Sequence, residues 1–200
     1  GFGCAQVVRY GMTEDGFVLE HHPVFPTLRT RPNHTHASYQ MDIPVNALPR
    51  LTTGGKLLTE TLLRAELDGT LSLFTAANGG TLHLIHQCYP SAAKRLCFER
   101  ITVENTSDAP ITLDITVPDP CLGRDMGPMG INLMEYTTDF APITLDAGAK
   151  YTYSIAISGR VAHEPIPTEH ADDALRERRE TVRRLTDPMQ LNTGNAVLDT

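Results

Sequence analysis

Between Gln6 and Arg160 the chain is dominated by runs in which every second residue is apolar, the period of a strand with one dry face. Ile111, Leu113, Ile115 and Val117 alternate with Thr112, Asp114 and Thr116. Before them, Cys97, Ile101 and Val103 share one face of an earlier strand, and Asn105 to Pro110 supply turn chemistry. These two runs predict a β-hairpin. A second pair, Gln6 to Met12 and Phe17 to Leu19 around Glu14-Asp15-Gly16, predicts an opening hairpin.

From Thr52 to Cys88 the pattern predicts a meander. Leu57 to Leu67, Leu71 to Ala76 and Leu82 to Cys88 are separated by Asp68-Gly69 and Asn78-Gly79-Gly80. Leu58, Leu62 and Ala65 also recur at helical spacing, but the bounding glycines and the threonines favour a strand. Ile131 to Phe140, Ile143 to Leu145 and Lys150 to Arg160 continue the alternation, the last with Tyr151, Tyr153, Ile155 and Ile157 on one face. Two stretches lack the period. Glu20 to Pro49 carries five prolines and predicts a long loop or irregular edge, and Asp119 to Gly130 predicts a Gly- and Pro-rich connection. The latter has no Gly-Lys-Ser/Thr ending and no following helix, so it is not a phosphate loop.

Beyond Pro165 and Pro167 the period changes. Ala171 to Leu185 has no Gly or Pro, acids in its first turn and arginines towards its end, with Leu175, Val182 and Leu185 as a narrow apolar stripe. The expectation is a mainly β, two-layer antiparallel β-sandwich over residues 1–165. A linker helix and a further helix start at Met189 occupy 166–200.

The chain has 200 residues, enough to bury a core without disulfides or metal. Its 17 basic and 24 acidic residues give a net charge of −7, against the cationic surface that nucleic acid requires. Five arginines fall in the predicted helix, but Glu177 and Glu180 interleave with them and no aromatic ring is available for base stacking. No apolar run approaches the ~20 residues of a membrane span. The chain starts at Gly1 rather than Met, so either upstream processing or an artificial start is the expectation. Cys4 behind Phe2-Gly3 matches a lipid-bearing cysteine only weakly, and Cys88 and Cys97 read as two buried thiols more readily than as a cross-strand disulfide.

The densest polar cluster lies in the proline-rich stretch. Arg29, Arg31, Asn33, His34, His36 and Tyr39 form the candidate contact surface, for carbohydrate or for a neighbouring domain. Arg29 and Arg31 lie on one side of an extended segment and suit carboxylates. His34 and His36, with His21 or His22, could share a zinc ion, but no Cys or acid stands at ligand spacing, so neither metal nor cofactor is expected. His83 and His86 sit on opposite faces of one strand and read as ordinary strand histidines. Glu60, Glu66, Glu99, Glu104 and Asp114 read as products of strand alternation, so no catalytic residue is assigned. Tyr39, Tyr89, Tyr136, Tyr151 and Tyr153 are the rings from which a sugar platform would be built, in a chain with no Trp.

Several of these motifs together resemble the N-terminal β-sandwich, of super-sandwich type, of bacterial glycoside hydrolases whose catalytic barrel is built from six helical hairpins. They are the pair of apolar strands around Asn105-Thr106-Ser107-Asp108, the early stretch Pro23 to Ser38, Cys88-Tyr89-Pro90-Ser91 at a strand end, and Asp187 to Thr200. The resemblance implies a non-catalytic supporting domain and a helical catalytic domain of the same parent chain as its partner. It also implies a polysaccharide or oligosaccharide substrate and a periplasmic or extracellular location. A stand-alone carbohydrate-binding module or a protein-interaction sandwich is the alternative.

Overall fold

A computed structural model describes residues 3–34, 36–128 and 130–187. In chain order, β1 (Ala5–Thr13), β2 (Gly16–Arg29) and β3 (Ser38–Gln40) come first. They are followed by β4 (Leu51–Thr53), β5 (Lys56–Leu57), β6 (Glu60–Leu67), β7 (Leu71–Ala77) and β8 (Leu82–Pro90). Then come β9 (Leu96–Asn105), β10 (Ile111–Ile115), β11 (Cys121–Gly127), β12 (Gly130–Thr138), β13 (Ile143–Leu145) and β14 (Lys150–Val161), and the helix α1 (Ala171–Thr186) closes the series.

Among the described residues the strands form three antiparallel sheets. One layer is a seven-stranded sheet in the order β11-β12-β14-β9-β8-β7-β6; the other consists of β1-β2-β3 and β13-β10-β4-β5. The fold is a β-sandwich with a helix after it. Leu84, Ile101, Val103, Tyr153, Ile155 and Ile157 from the large sheet meet Phe25, Leu51, Leu113 and Leu145 from the opposing layer in one buried cluster. Each such aliphatic side chain contributes roughly 1.5–3 kcal/mol by leaving water.

The opening hairpin and the meander form as the alternation predicts, with Asp68 to Thr70 and the Asn78 to Gly80 turn between strands. The predicted hairpin of Cys97–Val103 with Ile111–Val117 does not. β9 pairs with β8 and β14, whereas β10 pairs with β13 and β4, so the two strands lie in opposite layers. The Asn105–Pro110 turn carries the chain across the core instead of back along it. The fully buried Asn105 holds it, with Nδ2 donating to the carbonyls of Ala109 (2.8 Å) and Leu145 (2.9 Å). Likewise, Leu57 to Leu67 is not one strand. Lys56–Leu57 joins the small sheet, and Glu60–Leu67 becomes the edge of the large one.

Both stretches read as loop contain strand, Glu20 to Arg29 and Ser38–Gln40 in the first and Cys121–Gly127 in the second. β2 runs through Pro23 because its ladder with β1 continues there, with Gln6 opposite Pro23, and through Pro26 because a register shift between Phe25 and Arg29 takes it in. Asp119 to Gly130 contains the edge strand β11, where a bulge at Cys121/Gly123 and one-sided pairing tolerate its glycines. Phe25, fully buried, lies against Gly159 of β14, where any Cβ would stand 2.4 Å from the ring.

The helix α1 caps the outer face of the large sheet. Ala171, Ala174 and Leu175 cover Tyr89, Leu96 and Phe98, and the Tyr89 hydroxyl donates to the Ala171 carbonyl at 2.9 Å. The predicted stripe is buried only at its start, because Leu185 is 64% exposed. Asp172 and Asp173 in the first turn and Arg183 and Arg184 in the last complement the helix dipole. No helix among the described residues is long and apolar enough to cross a membrane. The helix start expected at Met189 lies outside the described residues.

Candidate functional site

Four ionisable side chains meet between the layers. Glu60 comes from β6, His86 from β8 and Glu99 from β9, all on the inner face of the seven-stranded sheet, while His21 reaches them from β2 opposite. His86 Nδ1 lies 2.7 Å from Glu99 Oε1, and its Nε2 lies 2.8 Å from Glu60 Oε2. His21 Nε2 is 2.9 Å from Glu99 Oε2, and the Gln6 amide nitrogen donates to His21 Nδ1 at 3.0 Å. The Thr75 hydroxyl, on the strand between Glu60 and His86, donates to Glu60 Oε2.

Both nitrogens of His86 face carboxylates, and only the doubly protonated ring donates at both. Burial opposes that charge, but the charges and hydrogen bonds of Glu60 and Glu99 outweigh it, so the pKa of His86 is pushed up to about 10. Burial alone would raise Glu60 and Glu99. Contacts from His86, together with Thr75 for Glu60 and His21 for Glu99, hold both carboxyls below the usual carboxylate range. The arrangement is an imidazolium clamped between two carboxylates, with the second histidine bracing one of them from the other layer.

The network opens on a cavity of about 70 Å³, walled also by Phe17, Leu48, Arg50 and Leu58. That holds a few water molecules and falls well below the roughly 300–1,000 Å³ of ligand clefts. The two carboxylates are directed at one imidazolium rather than at an open space, so a glycosidic bond has no place between them. Among the described residues no group of three or more His, Cys, Asp or Glu is arranged to hold a metal ion.

The candidate surface residues fall in two places. Arg31, Asn33, His34 and His36 are exposed on the turn joining β2 to β3, closed by the Thr30 amide donating to the Ala37 carbonyl at 2.8 Å. Arg29, half-buried at the end of β2, places Nη1 3.5 Å from the His34 carbonyl. His34 and His36 meet edge to face, ring centroids 6.0 Å apart. Neither His21 nor His22 joins them: His21 is committed to Glu99 and Gln6, and His22 to Asp42 at 2.8 Å. Tyr39 is buried beneath the turn. Burial, helped by Asp125 and Cys121, pushes its hydroxyl up to about 12.

Four of the five candidate platform tyrosines, Tyr39, Tyr89, Tyr136 and Tyr153, are buried, and Tyr151 stacks against Tyr153. Cys4, Cys88 and Cys97 are buried thiols. Cys4 is wholly enclosed, its sulfur 2.9 Å from the Leu96 carbonyl. In the β8–β9 register Cys88 stands opposite Glu99 and Cys97 opposite Pro90, so the two cysteines are diagonal neighbours rather than a facing pair.

The buried network was missed from sequence, yet a signal existed. Period-2 counting puts His86 on the face of Leu82, Leu84 and Cys88, and Glu99 on that of Cys97, Ile101 and Val103. A titratable residue on the dry side of each of two adjacent strands calls for a partner there. Neither a protein-family model nor a curated protein matches this chain.

Proposed function

We propose that the chain is a non-catalytic β-sandwich domain of a bacterial glycoside hydrolase acting on polysaccharide or oligosaccharide. In this reading it supports a helical-barrel catalytic domain of the same parent protein in the periplasm or outside the cell. The observation that carries the reading is the state of the buried acids. Glu60 and Glu99, the acid pair best placed for chemistry, are both tied to His86 beside a water-sized cavity. What remains is a scaffold with presented surfaces. The β2–β3 turn offers Arg31, Asn33, His34 and His36 to a neighbouring domain or to carbohydrate.

One further feature agrees with the resemblance. The tyrosine of Cys88-Tyr89-Pro90-Ser91 anchors the first residue of α1, which gives that motif a physical role at the exit from the sandwich. The stand-alone binding module is the weaker reading, because four of the five rings available for stacking sugars lie inside the fold.

The test is expression of the chain alone and of the chain extended by its natural downstream sequence, each assayed on a panel of aryl glycosides and oligosaccharides. The expected result is hydrolysis by the extended protein only, with the activity unaffected by Glu60→Gln where the protein remains folded. Hydrolysis by the 200-residue chain, or an extended protein with no glycosidase activity, would overturn the proposal.

A further inference from the structure

Beside α1, on the outer face of the seven-stranded sheet, lies a groove of about 460 Å³. Gln87 and Arg100 contribute from the sheet, and Asp172, Arg176, Arg179 and Arg183 from the helix. The three helical arginines follow i, i+3, i+7 spacing, so they lie within about 60° of one another around the helix and span about 10 Å along it. Arg100 is fixed: its Nε is 2.7 Å from Asp172 Oδ1 and its Nη1 3.2 Å from Gln87 Oε1. Arg176 is joined to Asp173 at 2.7 Å. Arg179 and Arg183 form no salt bridge among the described residues. Four guanidinium groups therefore line a space to which Asp172 and Glu180 contribute the carboxylates. On a chain of net charge −7 this is a local concentration of positive charge rather than a general bias.

A cationic face on an exposed helix is ordinarily just solvated. Here the same face forms one wall of a groove whose opposite wall holds Gln87 and an immobilised arginine, Arg100. Planar guanidinium forks at this spacing match oxyanions in pairs. We propose that the groove binds a small ligand bearing carboxylate or phosphate groups, with Arg179 and Arg183 as its recognition groups and Arg100 with Gln87 as the fixed floor. The site stands independently of the sandwich belonging to a glycoside hydrolase.

The experiment is calorimetric titration of the 200-residue chain at low salt with inorganic phosphate and, separately, with a trimer of galacturonic acid. Saturable binding of at least one probe is expected, and the tighter of the two tells a phosphate from a carboxylate ligand. The double variant Arg179→Gln/Arg183→Gln should weaken binding about tenfold and each single variant about threefold. Arg184→Gln, which removes the same charge outside the groove, should leave it unchanged. Circular dichroism monitors the helix, and the single variants carry the test if the double variant loses it. No saturable binding of either probe, binding retained by folded groove variants, or an equal loss in Arg184→Gln would each overturn the proposal.

Discussion

Glu99 reaches His86 diagonally across two neighbouring strands. In the β8–β9 register Glu99 stands opposite Cys88 and His86 opposite Ile101, yet their side chains meet at 2.7 Å on the inner face of the sheet. Because His21 approaches the same carboxylate from the facing layer, one buried acid joins both halves of the sandwich.

Removing that acid alone should be severe. Glu99→Leu leaves the His86 charge with one partner and strips His21 of its acceptor. A loss of about 3–5 kcal/mol is expected in urea denaturation, the usual consequence of breaking one side of a buried pair. Replacing His21, Glu60, His86 and Glu99 together by apolar residues should recover much of it. A Glu99→Leu protein as stable as the parent would show that the network contributes nothing.

The network also sets a pH window. The pKa of His86 is raised from 6.5 to about 10, so its contribution is complete below 6.5 and declines as pH climbs towards 10. Glu60 and Glu99 are depressed from 4.5, so theirs is complete above that value and declines as pH falls below it. Stability from the network is therefore greatest between about pH 4.5 and 6.5. Denaturation midpoints measured from pH 3 to 8.5 should peak there, and a folded His86→Leu protein should lose the fall on the alkaline side. The upper limit keeps clear of Cys88 and Cys97, whose buried thiols, raised well above 9.0, add their own loss at higher pH.

Gly159 is needed for the space it leaves. A Cβ there would stand 2.4 Å from the Phe25 ring, in a core where neither can yield freely. Gly159→Ala should destabilise the chain by about 1–3 kcal/mol. The loss should shrink when Phe25→Leu is added. Strict additivity in that double-mutant cycle would rule out the contact as the cause.

Tyr89→Phe keeps the ring stacked on Phe98, at 5.5 Å between centroids, but removes the donor to the Ala171 carbonyl. The expected loss is about 1–2 kcal/mol. It should appear as faster amide exchange in the first turns of α1, with the inner strands protected as before. Uniform acceleration across the sheet would contradict a local anchor.

The alternation of apolar residues was enough to locate most strands, the opening hairpin, the meander and the helix, because a side chain's face on a strand depends only on its position along that strand. It failed at the prolines of β2 and the glycines of β11, which a register shift in one and an edge position in the other accommodate and which look like loop without knowledge of the neighbours.

What the chain alone determined was therefore most of the dry positions: Leu113, Val103 and Ile155 lie inside as their spacing demands, whereas Val117, expected on the face of Leu113, falls beyond the end of β10 and is 83% exposed. Tertiary structure decided which dry faces meet. Period 2 assigns a face but names no partner, so β9 and β10 could read as a hairpin while lying in opposite layers. For the same reason Glu60, His86, Glu99 and His21 could look like unrelated strand residues. Register and the stacking of layers, which no local pattern encodes, place two carboxylates against the two nitrogens of one ring.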